Sequence, residues 1–243
     1  MKTRTKVFLY GLFASVAFEL ALYLTFPWAT LGKRLEYEAA KAVPGLTLVV
    51  GAVAPAFPFG VTLREITVHR EPLGRGEPPL DVRIDELSVK PAWTALLRGK
   101  PGARVTGLVM GGELDASAVM LAEGPQVEAV VRTLQLDDQG ALEKYVGVKL
   151  SGALSGRLEY VPGEKGAVKD ASLDFGIAGA KLAGGKVKGF TLPPIDLGTP
   201  TFSLRIENGE GKELKLAAES GDVTLSANGT LSPRNPVTSS LLK

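Results

Sequence analysis

The spacing of apolar residues changes twice along the chain and divides it into three regimes. From Val7 to Phe26, VFLYGLFASVAFELALYLTF, apolar side chains are almost unbroken, with one formal charge at Glu19. Such a run, wound as a helix, matches the roughly 30 Å hydrocarbon core of a bilayer. Lys2, Arg4 and Lys6 precede it and Trp28 follows it, which are the flanks of a membrane helix whose basic end stays in the cytoplasm. Val7, Phe8, Leu9, Tyr10, Glu19, Phe26 and Trp28 are the expected anchor residues. Lys33 and Arg34, just past the run, reduce the charge asymmetry. The competing reading is a signal peptide cleaved near Ser15-Val16-Ala17, after the short apolar stretch Val7–Phe13. The apolar run continues to Phe26, so that cleavage would leave an apolar end. Glu19 is costly in lipid and is either tolerated in a lone helix or marks a helix partner.

The second regime is short. Leu35 to Val43, LEYEAAKAV, has helix formers and an apolar stripe at Leu35, Ala39 and Ala42-Val43, and Pro44-Gly45 stops it. The expected division is a cytoplasmic tail at 1–6, an anchor at 7–28, a helical collar at 29–45 and an exported sheet domain at 46–243.

In the third regime apolar residues alternate. Leu46, Leu48 and Val50 form a strand, whereas Ala52 to Phe59, with Pro55 and Pro58, reads as a loop. Val61–Val68 (VTLREITV) and Val82–Val89 (VRIDELSV) are both apolar at positions 1, 3, 6 and 8. Alternation breaks at the same place in each, at Arg64-Glu65 and Asp85-Glu86. A parity change needs one extra residue, a β-bulge, and two matching bulges predict neighbouring strands. Pro91 to Leu97 predicts one or two helical turns opened by Pro91. Val105–Met110 and Glu113–Ala118 predict strands on either side of Gly111-Gly112. Gln126 to Leu136 has helical spacing in its first half and reads as strand from Val130. Gln139–Tyr145 reads as a short helix, capped by Asp137-Asp138. From Val146 onward, apolar runs of four to eight residues are separated by Gly, Pro, Asn, Asp or Lys. Connections that short predict antiparallel hairpins, with Glu207-Asn208-Gly209 as one turn and Asn228-Gly229-Thr230 as another. The predicted fold is mainly β: a transmembrane helix, then an extended, largely antiparallel, twisted and groove-like sheet with a few short helices. Leu150, Leu158, Phe175, Leu204, Leu216 and Leu225, from successive strands, are the candidate apolar face. The final residues, SPRNPVTSSLLK, offer no cover for an open sheet edge, which predicts a continuation beyond Lys243 or a partner protein at that edge.

Composition removes several function classes. Five of the 28 basic residues and one of the 26 acids lie in residues 1–34. The remaining 23 basic and 25 acidic groups leave residues 35–243 near −2, with no basic stripe for nucleic acid. The absence of cysteine excludes disulfides and thiolate chemistry and suits a Gram-negative periplasm. His69 is the single histidine and no GxSxG, P-loop or GxGxxG occurs. Asp137-Asp138 lacks the further oxygen ligands of a calcium loop. No catalytic residue, cofactor or metal is expected.

The order of basic tail, membrane helix, collar, FPFGVTLREITVHRE, LDVRIDELSVKPAWTALLRGKPGARVTGLVMGGEL and Gly-rich phrases such as VKLSGALSGRLEY and VTLSANGTLS resembles protein N of the type II secretion system (GspN). More distantly it is similar to AsmA-type periplasmic proteins held in the inner membrane. The resemblance implies a single-pass inner-membrane protein with a periplasmic β-domain and no enzyme activity. It would act by contacts with secretion-system proteins; the alternative is an AsmA-like protein that binds or transfers phospholipid along an apolar groove. A sheet that folds over on itself as plain scaffolding is a third reading, because an apolar strand face has the same sequence against lipid as against a second sheet.

Overall fold

The computed structural model describes residues 3–42, 45–56, 59–71, 80–136, 148–164, 167–187, 190–232 and 241–242. The expected helix at Gln139–Tyr145 and the Asp137-Asp138 pair lie outside them. Two helices open the chain, α1 (Thr3–Thr25) and α2 (Trp28–Ala42). They are separate because Pro27 has no N–H to continue the ladder; Thr30 and Leu31 donate back to the Pro27 carbonyl. α1 covers the apolar run, and its side chains from Lys6 to Phe18 are exposed, Phe8 at 70% and Phe13 at 73%. Among the described residues, however, no helix is long and apolar enough to cross a membrane. The expected span is therefore corrected to an apolar helix. Between Lys6 and Glu19 only Val7–Phe18 is free of charge, about 18 Å at 1.5 Å per residue and short of a bilayer core.

The rest is strand: β1 (Leu46–Ala56), β2 (Gly60–Arg70), β3 (Leu80–Pro91), a four-residue helix α3 (Trp93–Leu96), β4 (Gly102–Val109), β5 (Gly112–Met120), β6 (Pro125–Gln135), β7 (Val148–Pro162), β8 (Val168–Val187), β9 (Phe190–Leu192), β10 (Ile195–Gly198), β11 (Thr201–Glu207), β12 (Glu210–Ala218) and β13 (Leu225–Gly229). They form one thirteen-stranded sheet ordered β1 to β8, then β11, β12, β13, with β9 and β10 pairing the far half of the long β8. Every pairing is antiparallel, as short connections require. A separate pair, β14 (Leu231–Ser232) and β15 (Leu241–Leu242), follows.

Local chemistry explains where the pattern misled. β1 runs through Pro55, which opposes Val61. As an edge strand it accommodates a residue without an N–H on its outer side. Pro91 ends β3 instead of opening a helix. β6 is strand throughout, and the helix-like spacing of its first half arises because Val130 lies on the polar face between Val127 and Val131 of the apolar one; a bulge follows. The register with β7 slips between Val131 and Leu134, and Thr133 there has φ 51°. Asn208-Gly209 is the expected two-residue hairpin turn, both residues left-handed at φ 52° and 77°. Asn228-Gly229 lies inside β13 instead of turning the chain.

The paired irregularity of β2 and β3 is present. β2 and β3 are neighbours, with Arg64 opposite Glu86 and Ile66 opposite Ile84, which places Glu65 against Asp85. Glu65 has φ 52°, and β3 slips against β4 between Ile84 and Glu86. Both strands change parity at one level, so their mutual register is undisturbed. The extra residue returns Ile66, Val68, Val82 and Ile84 to the face that holds Leu63 and Leu87.

The two edges of the sheet differ. α2 lies along β1 with Leu31, Gly32, Leu35, Glu36 and Ala39 inward. Glu36 Oε1 accepts the Val50 N–H at 2.8 Å, and a Cβ on Gly32 would meet Val53 at 3.0 Å. β13 is exposed along nearly its whole length and pairs β12 alone among the described strands.

Candidate functional site: an uncovered apolar sheet face

Residues directly opposite in a ladder share a face, so the register can be followed from strand to strand. One row runs Pro55, Val61, Val89, Val105, Ala116, Ala129, Leu158, Leu173, Leu204, Leu214, Gly229. The next, two residues along each strand, runs Val53, Leu63, Leu87, Gly107, Leu114, Val131, Gly156, Phe175, Phe202, Leu216, Ala227. On the other side a shorter row runs from Pro91 through Ala103, Ala118, Val127, Tyr160 and Ala171 to Ile206 and Gly211. None of these residues carries a charge. Ten strand steps of roughly 4.8 Å make the two long rows about 48 Å, and the seven steps of the third make it about 34 Å; where all three run together, two intervals of roughly 6.8 Å make the apolar strip about 14 Å wide.

Among the described residues nothing packs over this strip to close it into a core. Fully buried apolar residues among those described are few: Ile66, Ala95, Leu136, Val168, Ala180, Ile206 and Ala218. Leu158, Leu173, Phe175, Phe202, Leu204, Leu214 and Leu216 are only half-buried. What cover they have comes from the sheet's own side chains lying across glycines. A Cβ on Gly156 would sit 2.2 Å from the Phe175 ring, and one on Gly107 would sit 2.5 Å from Leu87 Cδ2. A large side chain that lies flat over a neighbouring glycine keeps the surface smooth and low.

Of the candidate face residues, Leu158 and Leu204 fall in the first row, and Phe175 and Leu216 in the second. Leu225 lies on the same face, opposite Ala218 at the outermost strand, and is 46% exposed. Leu150 pairs with Leu182, and Leu182 with Ile195, in a short apolar row beyond the slip near Gly179. Sequence reading missed the half of the strip on β1 to β6, where the clue was alternation among small residues such as Gly107, Ala116 and Ala129.

The opposite face is polar and ion-paired. The row Thr62, Ser88, Thr106, Asp115, Val130, Arg157, Asp174, Ser203, Lys215, Asn228 shows the contrast. Arg104 holds Asp115 with both oxygens, Nε to Oδ1 at 3.0 Å and Nη2 to Oδ2 at 2.6 Å. The hydrogen bonds from Arg104 hold the Asp115 carboxyl below the usual carboxylate range, and the same bonds raise Arg104. Arg157 reaches Glu128 at 2.6 Å and Glu159 at 2.9 Å. Arg64 pairs with Glu86 at 3.0 Å, and Lys215 with Glu213. These pairs are solvated and individually weak; they keep one face wet.

His69 Nδ1 lies 2.5 Å from Oδ1 of Asp81, the residue opposite it on β3. Among the described residues no cluster of His, Asp or Glu is placed to hold a metal. At the end of the sheet where α1 meets α2, Glu19, Tyr23, Phe26 and Trp28 face Pro55, Ala56, Phe59 and Gly60 across a cavity of about 310 Å³. The anchor residues Glu19, Phe26 and Trp28 are thus brought together, whereas Val7, Phe8, Leu9 and Tyr10 project from α1 into solvent. No family model, no curated protein and no solved structure matches the chain.

Proposed function

We propose that this chain is a non-enzymatic, membrane-attached β-sheet protein that holds phospholipid acyl chains on its apolar face. The observation that supports it best is the pair of eleven-residue apolar rows, free of charge and, among the described residues, under no second layer. A soluble monomer rarely leaves an apolar patch larger than about 300–600 Å² open, and a strip about 48 Å long and up to about 14 Å wide stands at the top of that range. The strip is also longer than the roughly 30 Å hydrocarbon thickness of a bilayer, so it has room for acyl chains end to end. α1, free of charge from Val7 to Phe18, would insert into the inner membrane without crossing it, and its Glu19 lies at the junction cavity beside the sheet end. A second reading is favoured by the exposed β13 edge. There an accessory component of type II secretion would dock a partner strand by backbone hydrogen bonds.

The test is a charge on each face. Leu204→Glu places a carboxylate in the apolar strip, and Ser203→Glu places one on the polar face of the same strand. With the full chain purified in detergent, co-extracted phospholipid is measured by mass spectrometry beside circular dichroism. Leu204→Glu is expected to keep the strand spectrum and lose lipid by at least about tenfold, since one aliphatic contact is worth roughly 1.5–3 kcal/mol. Ser203→Glu should retain lipid. Unfolding by Leu204→Glu, and likewise by Leu158→Glu, would mean a closed core and would leave the secretion-partner reading.

A further inference from the structure

α3 is built inside out. Its one buried residue is its smallest apolar one, Ala95, while Trp93 is 44% exposed and Leu96 41%, and Leu97, in the turn that follows, is 88% exposed. A helix that packs on a soluble domain does the reverse. Here Ala95 sits over the polar face, beside Val119 and Val130, the apolar residues among its charges. Residues 92–101, AWTALLRGKP, add Arg98 and Lys100 and no acid.

The surroundings extend this edge. Trp93 meets Phe59, itself 61% exposed, edge to face with ring centroids 5.5 Å apart. Phe59 lines the junction cavity together with Phe26 and Trp28 of the α1–α2 elbow. On the other side Met120, 51% exposed, donates its N–H to Pro101. The rim from the exit of α1 to α3 is therefore one connected set of exposed aromatic and aliphatic side chains with two cations. Aromatic rings with an apolar body and a polar tip favour the headgroup layer, and Lys and Arg favour anionic lipid.

We infer that this rim, Phe59 with Trp93, Leu96, Leu97, Arg98 and Lys100, is a second membrane contact that lies in the headgroup layer of an anionic bilayer. It rests on the proposal that α1 enters that bilayer, because the two share one end of the sheet. Together they would hold the sheet end against the membrane by two contacts instead of one hinge at Pro27. A single apolar attachment gives weak or freely pivoting binding, and a second one fixes it.

The chain has two tryptophans, Trp28 and Trp93, so each can be read alone. Full-length Trp28→Phe and Trp93→Phe proteins are reconstituted into liposomes of phosphatidylcholine and phosphatidylglycerol that contain brominated phospholipid. Quenching of Trp93 in the Trp28→Phe protein is expected, stronger from bromines near the headgroup than from deep ones. It should be lost when Leu96 and Leu97 are both changed to Ser, and reduced in phosphatidylcholine alone. Unquenched Trp93 beside quenched Trp28 would overturn the rim contact and leave the anchor standing. Quenching of neither would overturn both. Quenching of Trp93 alone would support the rim contact and remove the anchor.

Discussion

A glycine decides how flat the apolar strip is. At Gly156 a Cβ would approach the Phe175 ring at 2.2 Å and the Asp174 carbonyl at 2.5 Å; the second contact is with backbone, which has nowhere to go. Gly156→Ala is expected to destabilise by about 1–3 kcal/mol, read as a lowered melting temperature, and to lift Phe175 off the surface. Gly176, one residue further along β8, has only Thr201 and Pro200 nearby, at 3.7 Å and beyond, so Gly176→Ala is the matched control with little effect. On the other face the residue to watch is Asp115. Its carboxyl is held below the usual range by Arg104, so its contribution is complete above the pKa it has when unfolded and is lost as pH falls through the lower folded value. Stability should therefore drop below about pH 4, and Asp115→Asn should flatten that part of the profile. Arg104 stays charged throughout that window. Because the pair is largely solvated, the effect is at most about 1 kcal/mol, measured by denaturant titration at successive pH values.

Among elements, the bulge seam carries the most information per residue. Removing Glu65 would restore strict alternation in β2 and keep Ile66 and Val68 on the apolar face, but β3 would still carry its extra residue at Asp85, so the pairs Ile66–Ile84 and Val68–Val82 would have to slip by one. Loss of the folded domain in the soluble or detergent-solubilised fraction is expected; a deletion with unchanged thermal stability would mean that the seam does not set the register. This seam was legible in the sequence because both strands are long and β-branched, and the parity break stands between clear alternations. The bulge in β6 was not. Val130 on the polar face and an extra residue between Val131 and Leu134 together space Val127, Val130, Val131 and Leu134 as a helix would, and only the ladder with β7 distinguishes them. The β7–β12 half of the strip was legible because its rows are Leu and Phe. The β1–β6 half was hidden by Gly, Ala and a proline at Pro55, whose strand identity depends on being at an edge. At that edge Glu36→Ala would leave the Val50 N–H without its acceptor, at a cost of about 1 kcal/mol and with faster amide exchange at Val50.

At the scale of the whole molecule, the antiparallel order of strands and the two-faced sheet followed from alternation, while the lack of a second layer among the described residues did not. An apolar position has the same letter whether lipid, protein or nothing lies above it, and burial alone separates those cases. If the chain is placed as proposed, a phosphatase reporter at its C-terminus should be active in the periplasm; activity confined to cytoplasmic fusions would remove the membrane reading. The unequal edges have a consequence for assembly. Strand-to-strand growth needs a donor edge and an acceptor edge on every copy, and α2 with Glu36 occupies one of them. Head-to-tail addition of β13 onto β1, a route to fibres, is therefore blocked at its first step. Any self-association through β13 must join β13 to β13 about a two-fold axis, which uses up both free edges at once. Light scattering against concentration should then level off at a pair, and Glu36→Ala should be the kind of change that lets it climb further.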